Sequence, residues 1–203
     1  MKDFDLRVKR KFNDVEIEYG ILQGNSNILF IKPGLNGSLY GYNNKYLTIA
    51  NMINQKYGST VICSTNPHGN KKFNQLDDAI IFIDEYTKEE NINNYKIYYM
   101  GNSNGGMIAC KKAHLYPQID KMLIINAPLM FNCDLITSGL KKFDQTSVSL
   151  IYGSLDPSIN NIGLFDYLDN KKVTYYIIYG QDHNFSNDMN EFIQLAEKYL
   201  YKK

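Results

Sequence analysis

The chain predicts an α/β protein: a mostly parallel sheet with helices on both faces and an antiparallel hairpin at its start. Two observations carry this. After the hairpin, short apolar or aromatic runs alternate throughout with segments whose apolar residues recur at helical spacing. Each such strand-helix-strand unit wants a right-handed crossover and a parallel neighbour. The second is the stretch KIYYMGNSNGG, Lys96 to Gly106, which reads as strand, tight turn and helix start.

In chain order, Leu6 to Phe12 and Val15 to Leu22 alternate in polarity around the turn pair Asn13-Asp14 and form the expected hairpin at a sheet edge. Ile28 to Ile31 is solidly apolar, as a strand buried on both faces would be, and ends in Lys32-Pro33-Gly34 before the loop Leu35 to Ser38. Tyr46 to Tyr57 carries Leu47, Ile49, Ala50 and Ile53 at helical spacing and stops at Gly58, a suitable C-terminal cap. Ser59 to Cys63 is the next strand, Ser64 to Lys72 a polar loop, and Leu76 to Tyr86 a helix. The strand through Met100 is followed by a helix from Asn104 to Tyr116, halted before Pro117. Lys121 to Asn126 is a strand ended by Ala127-Pro128, Phe131 to Phe143 an amphipathic helix, and Val148 to Tyr152 a strand leading to Gly153-Ser154-Leu155-Asp156-Pro157. A short helix over Ile159 to Leu168, a last strand over Val173 to Tyr179, and a closing amphipathic helix over Phe192 to Leu200 complete the series. No linker, repeat or low-complexity block interrupts it, so residues 1–203 are read as one domain.

The turn after Met100 has the form G-x-S-x-G. A serine thrust out of a sharp strand-to-helix bend needs small neighbours on both sides, and Gly101 and Gly105 supply them. Such a bend strains the dihedrals of Ser103 and aims the Asn104 N–H at the place where an oxyanion could form. A five-residue glycine pattern also arises by chance, so the serine needs partners.

Composition narrows the classes. A net charge of +1 leaves no electrostatic footprint for nucleic acid or an anionic membrane. Arg7, Lys9 and Lys11 alternate as the solvent face of a strand would. The three cysteines, Cys63, Cys110 and Cys133, are far apart without metal-ligand spacing, and a reducing compartment follows. MKDFDLRVKRKF carries charges where an export signal needs an apolar core, and no run approaches the roughly 18 apolar residues of a membrane span. The expectation is a cytoplasmic protein with no membrane span.

In parallel sheets, active groups sit beyond the carboxyl ends of the strands. Here those positions hold Gly34-Leu35, Asn66-Pro67-His68, Ser103, Pro128, Asp156 and His183. A nucleophile, an acid and a base stand among them in the order Ser, Asp, His, which is the order that goes with G-x-S-x-G. The chain resembles the α/β-hydrolase superfamily from about Leu6 to its C-terminus, on GNSNGG around Ser103, GSLDPSI around Asp156 and GQDHNF around His183. The resemblance is to a small serine-esterase-like member without a cap domain.

It implies that His183 takes the Ser103 proton during attack on an acyl carbonyl and that Asp156 holds the imidazole. The oxyanion would be met by the backbone N–H groups of Asn104 and Leu35, each such donor lowering the barrier by about 3 kcal/mol. No metal and no cofactor is implied. The chain departs from its relatives in having Pro33 where a histidine commonly precedes the glycine, which weakens the claim on Leu35.

Rival assignments exist. Asp182 adjoins His183 and is badly placed to reach its ring, whereas Asp134 occupies a position that some members use for the acid. His68 reads as a loop or pocket-rim residue, and His114 as a partly buried structural one. Tyr40, Tyr42, Met130 and Phe131 could line an apolar acyl pocket or simply pack on the core. The expected partner is a small-molecule acyl ester, with thioesters, peptides, acyl transfer and a non-catalytic binding module as alternatives. A nucleotide-binding domain is disfavoured, since GNSNGG is not G-x-G-x-x-G and no G-K-[ST] follows any strand.

Overall fold

The computed structural model describes residues 1–12, 14–68 and 75–202. Leu6–Phe12 (β1) and Val15–Leu22 (β2) pair antiparallel, from Leu6 opposite Ile21 to Phe12 opposite Val15. Asn13 of the turn, like residues 69–72 of the polar loop, lies outside the described residues; Asp14 has φ 70°, the left-handed backbone that tight hairpins need. Arg7, Lys9 and Lys11 do face solvent, and Lys9 reaches Glu16 across the hairpin at 3.0 Å.

Six further strands follow: Asn25–Lys32 (β3), Ser59–Ser64 (β4), Lys96–Asn102 (β5), Ile119–Ile125 (β6), Ser147–Gly153 (β7) and Val173–Ile178 (β8). They join the hairpin in one eight-stranded sheet ordered β1-β2-β4-β3-β5-β6-β7-β8. β2 meets β4 antiparallel, and every pairing from β4 to β8 is parallel. The carboxyl ends of six adjacent strands therefore open on one side of the molecule.

The helices are Lys45–Tyr57 (α1), Gln75–Glu89 (α2), Asn104–Lys112 (α3), Cys133–Lys142 (α4) and Met189–Ala196 (α5). Successive strand residues point to opposite faces. Ile28, Phe30, Ile97, Tyr99, Met122 and Ile124 pack in the core shared with α2, α3 and α4. Leu29, Ile31, Met100, Leu123 and Ile125 pack in a second core with α1 and α5. Burial on both faces is why these strands read as continuous apolar runs.

Differences from expectation fall at element ends and in one short element. The α-helix after Ser103 stops at Lys112, and a 3₁₀ turn over Ala113–Leu115 takes up the rest, because Pro117 forces Tyr116 into extended backbone. Pro157–Tyr167 is a run of 3₁₀ turns where a short helix was expected; only Ser158 and Phe165 are buried in it, too thin a stripe to hold a regular helix. α4 starts two residues late, after Asn132 in left-handed backbone. α5 starts at Met189, capped by the Asp188 carboxylate, and widens into a π turn over Glu197–Tyr201. The cap Gly58 stands as expected at φ 64°, donating to the Asn54 carbonyl.

Candidate active site

β5 ends at Asn102 and α3 begins at Asn104, so Ser103 alone turns the chain. It does so at φ 51°, ψ −121°, a region that costs a non-glycine residue about 1–3 kcal/mol. The Ser103 N–H donates to Ile125 O at 2.8 Å, and Met107 N–H donates to Ser103 O at 3.0 Å. Close approach explains the glycines. A methyl at Gly101 would lie 2.7 Å from Gly106 Cα, one at Gly105 2.5 Å from Pro33 O, and one at Gly106 2.8 Å from an Ile124 methyl. The buried Tyr99 hydroxyl adds a bond to Gly105 O at 2.8 Å.

Three side chains converge at this bend. His183 Nε2 is 2.9 Å from Ser103 Oγ, and His183 Nδ1 is 2.5 Å from Asp156 Oδ2. The carboxylate only accepts, so the neutral ring carries its proton on Nδ1 and presents the Nε2 lone pair to the serine. The Asp156 side chain has no exposed surface, whereas that of His183 is 39% exposed. The second Asp156 oxygen accepts the Ser158 N–H at 2.7 Å, which also caps the 3₁₀ run. A polar line thus runs from a dry carboxylate to a serine beside solvent.

The rival groups lie elsewhere. Asp182 Oδ1 accepts the N–H groups of Asn184 and Ser186, each at 2.9 Å, and the Ser186 backbone bond in particular holds its carboxyl below the usual range. Asp134 is exposed in the first turn of α4. His68 is exposed on the loop after β4. His114 is half-buried in the 3₁₀ turn after α3; burial, then Lys142 and Lys112, lowers its pKa.

At the other side of Ser103, the end of β3 comes close: a methyl at Gly34 would be 3.2 Å from Ser103 Cβ. The Leu35 N–H donates to no acceptor among the described residues, and the Asn104 N–H, in the first turn of α3, has no intrahelical partner. Tyr40 turns toward the N-terminal segment, its hydroxyl 3.1 Å from Asp3 Oδ1 and its ring 5.6 Å from Phe4. Tyr42, Met130 and Phe131 project into solvent from the loops after β3 and β6.

Sequence reasoning missed Asn126. At φ 48° and fully buried, its Nδ2 donates to the carbonyls of Asp182 at 3.1 Å and His183 at 3.0 Å, while its Oδ1 accepts Gly153 N–H at 2.9 Å. One side chain so ties the histidine loop to the strand that presents Asp156. An asparagine at a strand end, where left-handed backbone is tolerated, was the only signal in the sequence.

No protein-family model matches the sequence, and no curated protein does. Solved structures do match. An alpha-beta serine hydrolase homologue from Coxiella burnetii aligns with a TM-score of 0.72 at 14% identity, over 98% of each chain. Est1E from Butyrivibrio proteoclasticus aligns at 0.72 and 11% identity, over 95% of this chain and 96% of that one. Dienelactone hydrolase from Anabaena variabilis aligns at 0.68 and 19% identity, over 96% and 95%.

The chain has the α/β-hydrolase fold.

On this α/β-hydrolase fold, the loops after β5, β7 and β8 carry Ser103, Asp156 and His183. Among the described residues, no group of three or more His, Cys, Asp or Glu side chains is set to hold a metal ion, and no helix is long and apolar enough to cross a membrane.

Proposed function

We propose that this chain is a serine hydrolase that cleaves small or medium acyl esters through an acyl-enzyme on Ser103. The observation that carries the reading is the unbroken hydrogen-bonded line Ser103 Oγ, His183 Nε2, His183 Nδ1, Asp156 Oδ2. The Ser103 hydroxyl is a weak nucleophile at neutral pH; passing its proton to Nε2 as Oγ attacks the acyl carbon removes that obstacle. The imidazolium so formed faces the buried Asp156 carboxylate, which stabilises it. It then gives the proton to the departing alkoxide. Water, deprotonated by the same nitrogen, attacks the acyl-enzyme and restores the serine.

The oxyanion would be received by the Asn104 and Leu35 N–H groups, whose lack of other partners among the described residues supports the role. The solvent-facing Met130 and Phe131, 59% and 61% exposed, sit on the loop after the strand next to that of Ser103 and are offered to the acyl or leaving group, as is Tyr42; Tyr40 is the weakest candidate because it is engaged by Asp3. A small-molecule ester, with no nucleic acid, is the proposed partner. The three free cysteines support a cytoplasmic setting.

The test is intact mass after exposure to a fluorophosphonate, for the parent and for Ser103→Ala. One adduct on the parent and none on the variant is the expected result, followed by turnover of chromogenic esters of graded chain length. A parent that takes no adduct and turns over no ester overturns the proposal. Thioesters, and an alcohol competing with water, belong in the same panel, since the triad chemistry serves them equally.

A further inference from the structure

Asn66 lies two residues beyond β4, is fully buried, and bonds to two separate segments of the candidate site, the loop after β3 and the start of α3. Its carbonyl accepts the Asn36 N–H at 2.7 Å, and its own N–H donates to Gly37 O at 3.1 Å. Its side-chain Nδ2 donates to Pro33 O at 2.8 Å and to Asn104 Oδ1 at 3.1 Å. A proline carbonyl can only accept, so the amide must turn its NH₂ toward it, and both protons of that group are then used. The residue preceding Pro33 is held as well: the buried Lys32 Nζ donates to Thr65 O at 2.9 Å.

These bonds bracket Gly34 and Leu35. Pro33 precedes Leu35, and Asn36 and Gly37 follow it; all three are held by Asn66, while the Leu35 N–H itself has no acceptor among the described residues. The remaining bond runs to the side chain of Asn104, whose backbone N–H is the other proposed donor. Oxyanion stabilisation requires two N–H groups held about 2.7–3.1 Å from one point in space, and a loop on one strand end has no covalent reason to keep station with a helix on another.

We infer that Asn66 is the positioning residue of the oxyanion hole: it ties the loop carrying Leu35 to Asn104 and so sets the separation of the two amides. The inference rests on the serine-hydrolase reading above. Asn66 touches no reacting atom. Its loss leaves substrate binding in the ground state largely intact and misplaces a donor that matters in the transition state.

The experiment compares Asn66→Ala and the smaller perturbation Asn66→Ser with the parent on an oxygen ester and its thionoester, in which C=S replaces C=O. Sulfur accepts hydrogen bonds weakly, so the thionoester draws little on the hole. Expected for Asn66→Ala is a fall of about 100-fold in kcat on the oxygen ester, with KM within about threefold. The preference for oxygen over sulfur should narrow by about tenfold or more. A merely structural residue lowers the folded fraction and slows both substrates alike; equal losses overturn the inference.

Amide hydrogen exchange in the same variants tests the clasp independently of catalysis. Both variants keep the Asn66 backbone carbonyl that accepts the Asn36 N–H and lose the side-chain bonds to Pro33 and Asn104, so exchange at Asn36 reads whether those side-chain bonds hold the loop in place; it should quicken by about tenfold or more while β5 and β6 keep their protection. Unchanged exchange at Asn36 overturns the inference. If the parent protein neither takes the fluorophosphonate nor turns over esters while Asn36 does loosen, it is the hydrolase reading that falls and the clasp that stands.

Discussion

Of Ser103, Asp156 and His183, Asp156 is the one that solvent reaches least. Replacing it by asparagine keeps the shape but offers the imidazole a donor or a weak acceptor, and the ring loses its proper tautomer. Asp156→Asn should cut kcat on a chromogenic ester by about 10³–10⁴ with an unchanged melting curve; a loss under tenfold would exclude Asp156 as the acid. A second buried carboxylate, Asp78, feels the charge of Lys32 at the end of β3. Neither oxygen of Asp78 has a hydrogen-bond partner among the described residues, and burial, opposed by Lys32 and Arg10 and helped by Asp77, pushes its pKa up from 3.8 to about 7. Its folded pKa is above the unfolded one, so its contribution is full below about pH 4 and is lost as pH rises through 7. Lys32, lowered by burial from 10.5 to about 7, works in the opposite sense, its contribution full only in strong alkali and lost as pH falls through 7. Asp78→Asn, neutral at every pH, should match the parent's Tm near pH 4 and exceed it at pH 8. A parent more stable than the variant at pH 8 would show that the carboxylate is compensated. Neither Lys32 nor Asp78 was legible beforehand, because a lone lysine at a strand end and an aspartate in a helix's first turn read as ordinary surface residues.

At the scale of elements, the strand-turn-helix around Ser103 combines strain with close packing. Ser103→Gly relieves the dihedral strain and Ser103→Ala does not, so urea unfolding should find the glycine variant more stable than the alanine variant by about 1 kcal/mol. Gly105→Ala drives a methyl into the Lys32 and Pro33 carbonyls and should cost about 1–3 kcal/mol. Gly180→Ala meets nothing within 4 Å and should cost only its left-handed backbone, about 1–2 kcal/mol. A loss under about 1 kcal/mol for Gly105→Ala would mean that the β3 end is free to move away. The glycine pattern was readable in the sequence for a steric reason: each glycine answers an approach by backbone or packed side chain that no other residue permits. The 3₁₀ run over Pro157–Tyr167 was not, since its turns are held by the Asp156 cap and by burial of only Ser158 and Phe165.

Across the whole molecule, the second core and the histidine loop are one packing unit. Phe192 of α5 meets Phe185, two residues after His183, edge to face at 5.5 Å, and lies under the Lys45 ammonium at 4.1 Å. Phe192→Ala should cost about 3–5 kcal/mol and slow fluorophosphonate labelling in the fraction that remains folded, as the denaturant midpoint and labelling rate together would show. Labelling at the parent's rate would separate core from loop. The alternation of strands and helices, the burial of strands on both faces, and the order of serine, aspartate and histidine were all legible in the amino-acid chain. Those are local or periodic properties, written in neighbouring residues. The contact between Asp156 and the imidazole, with Asp182 spent on its own loop, and the roles of Asn66 and Asn126 emerge from the folded chain. Their bonds join strand ends far apart in the chain, so their partners exist only after the sheet has set its strand order, and no pattern of neighbours encodes a contact that closure of the sheet creates.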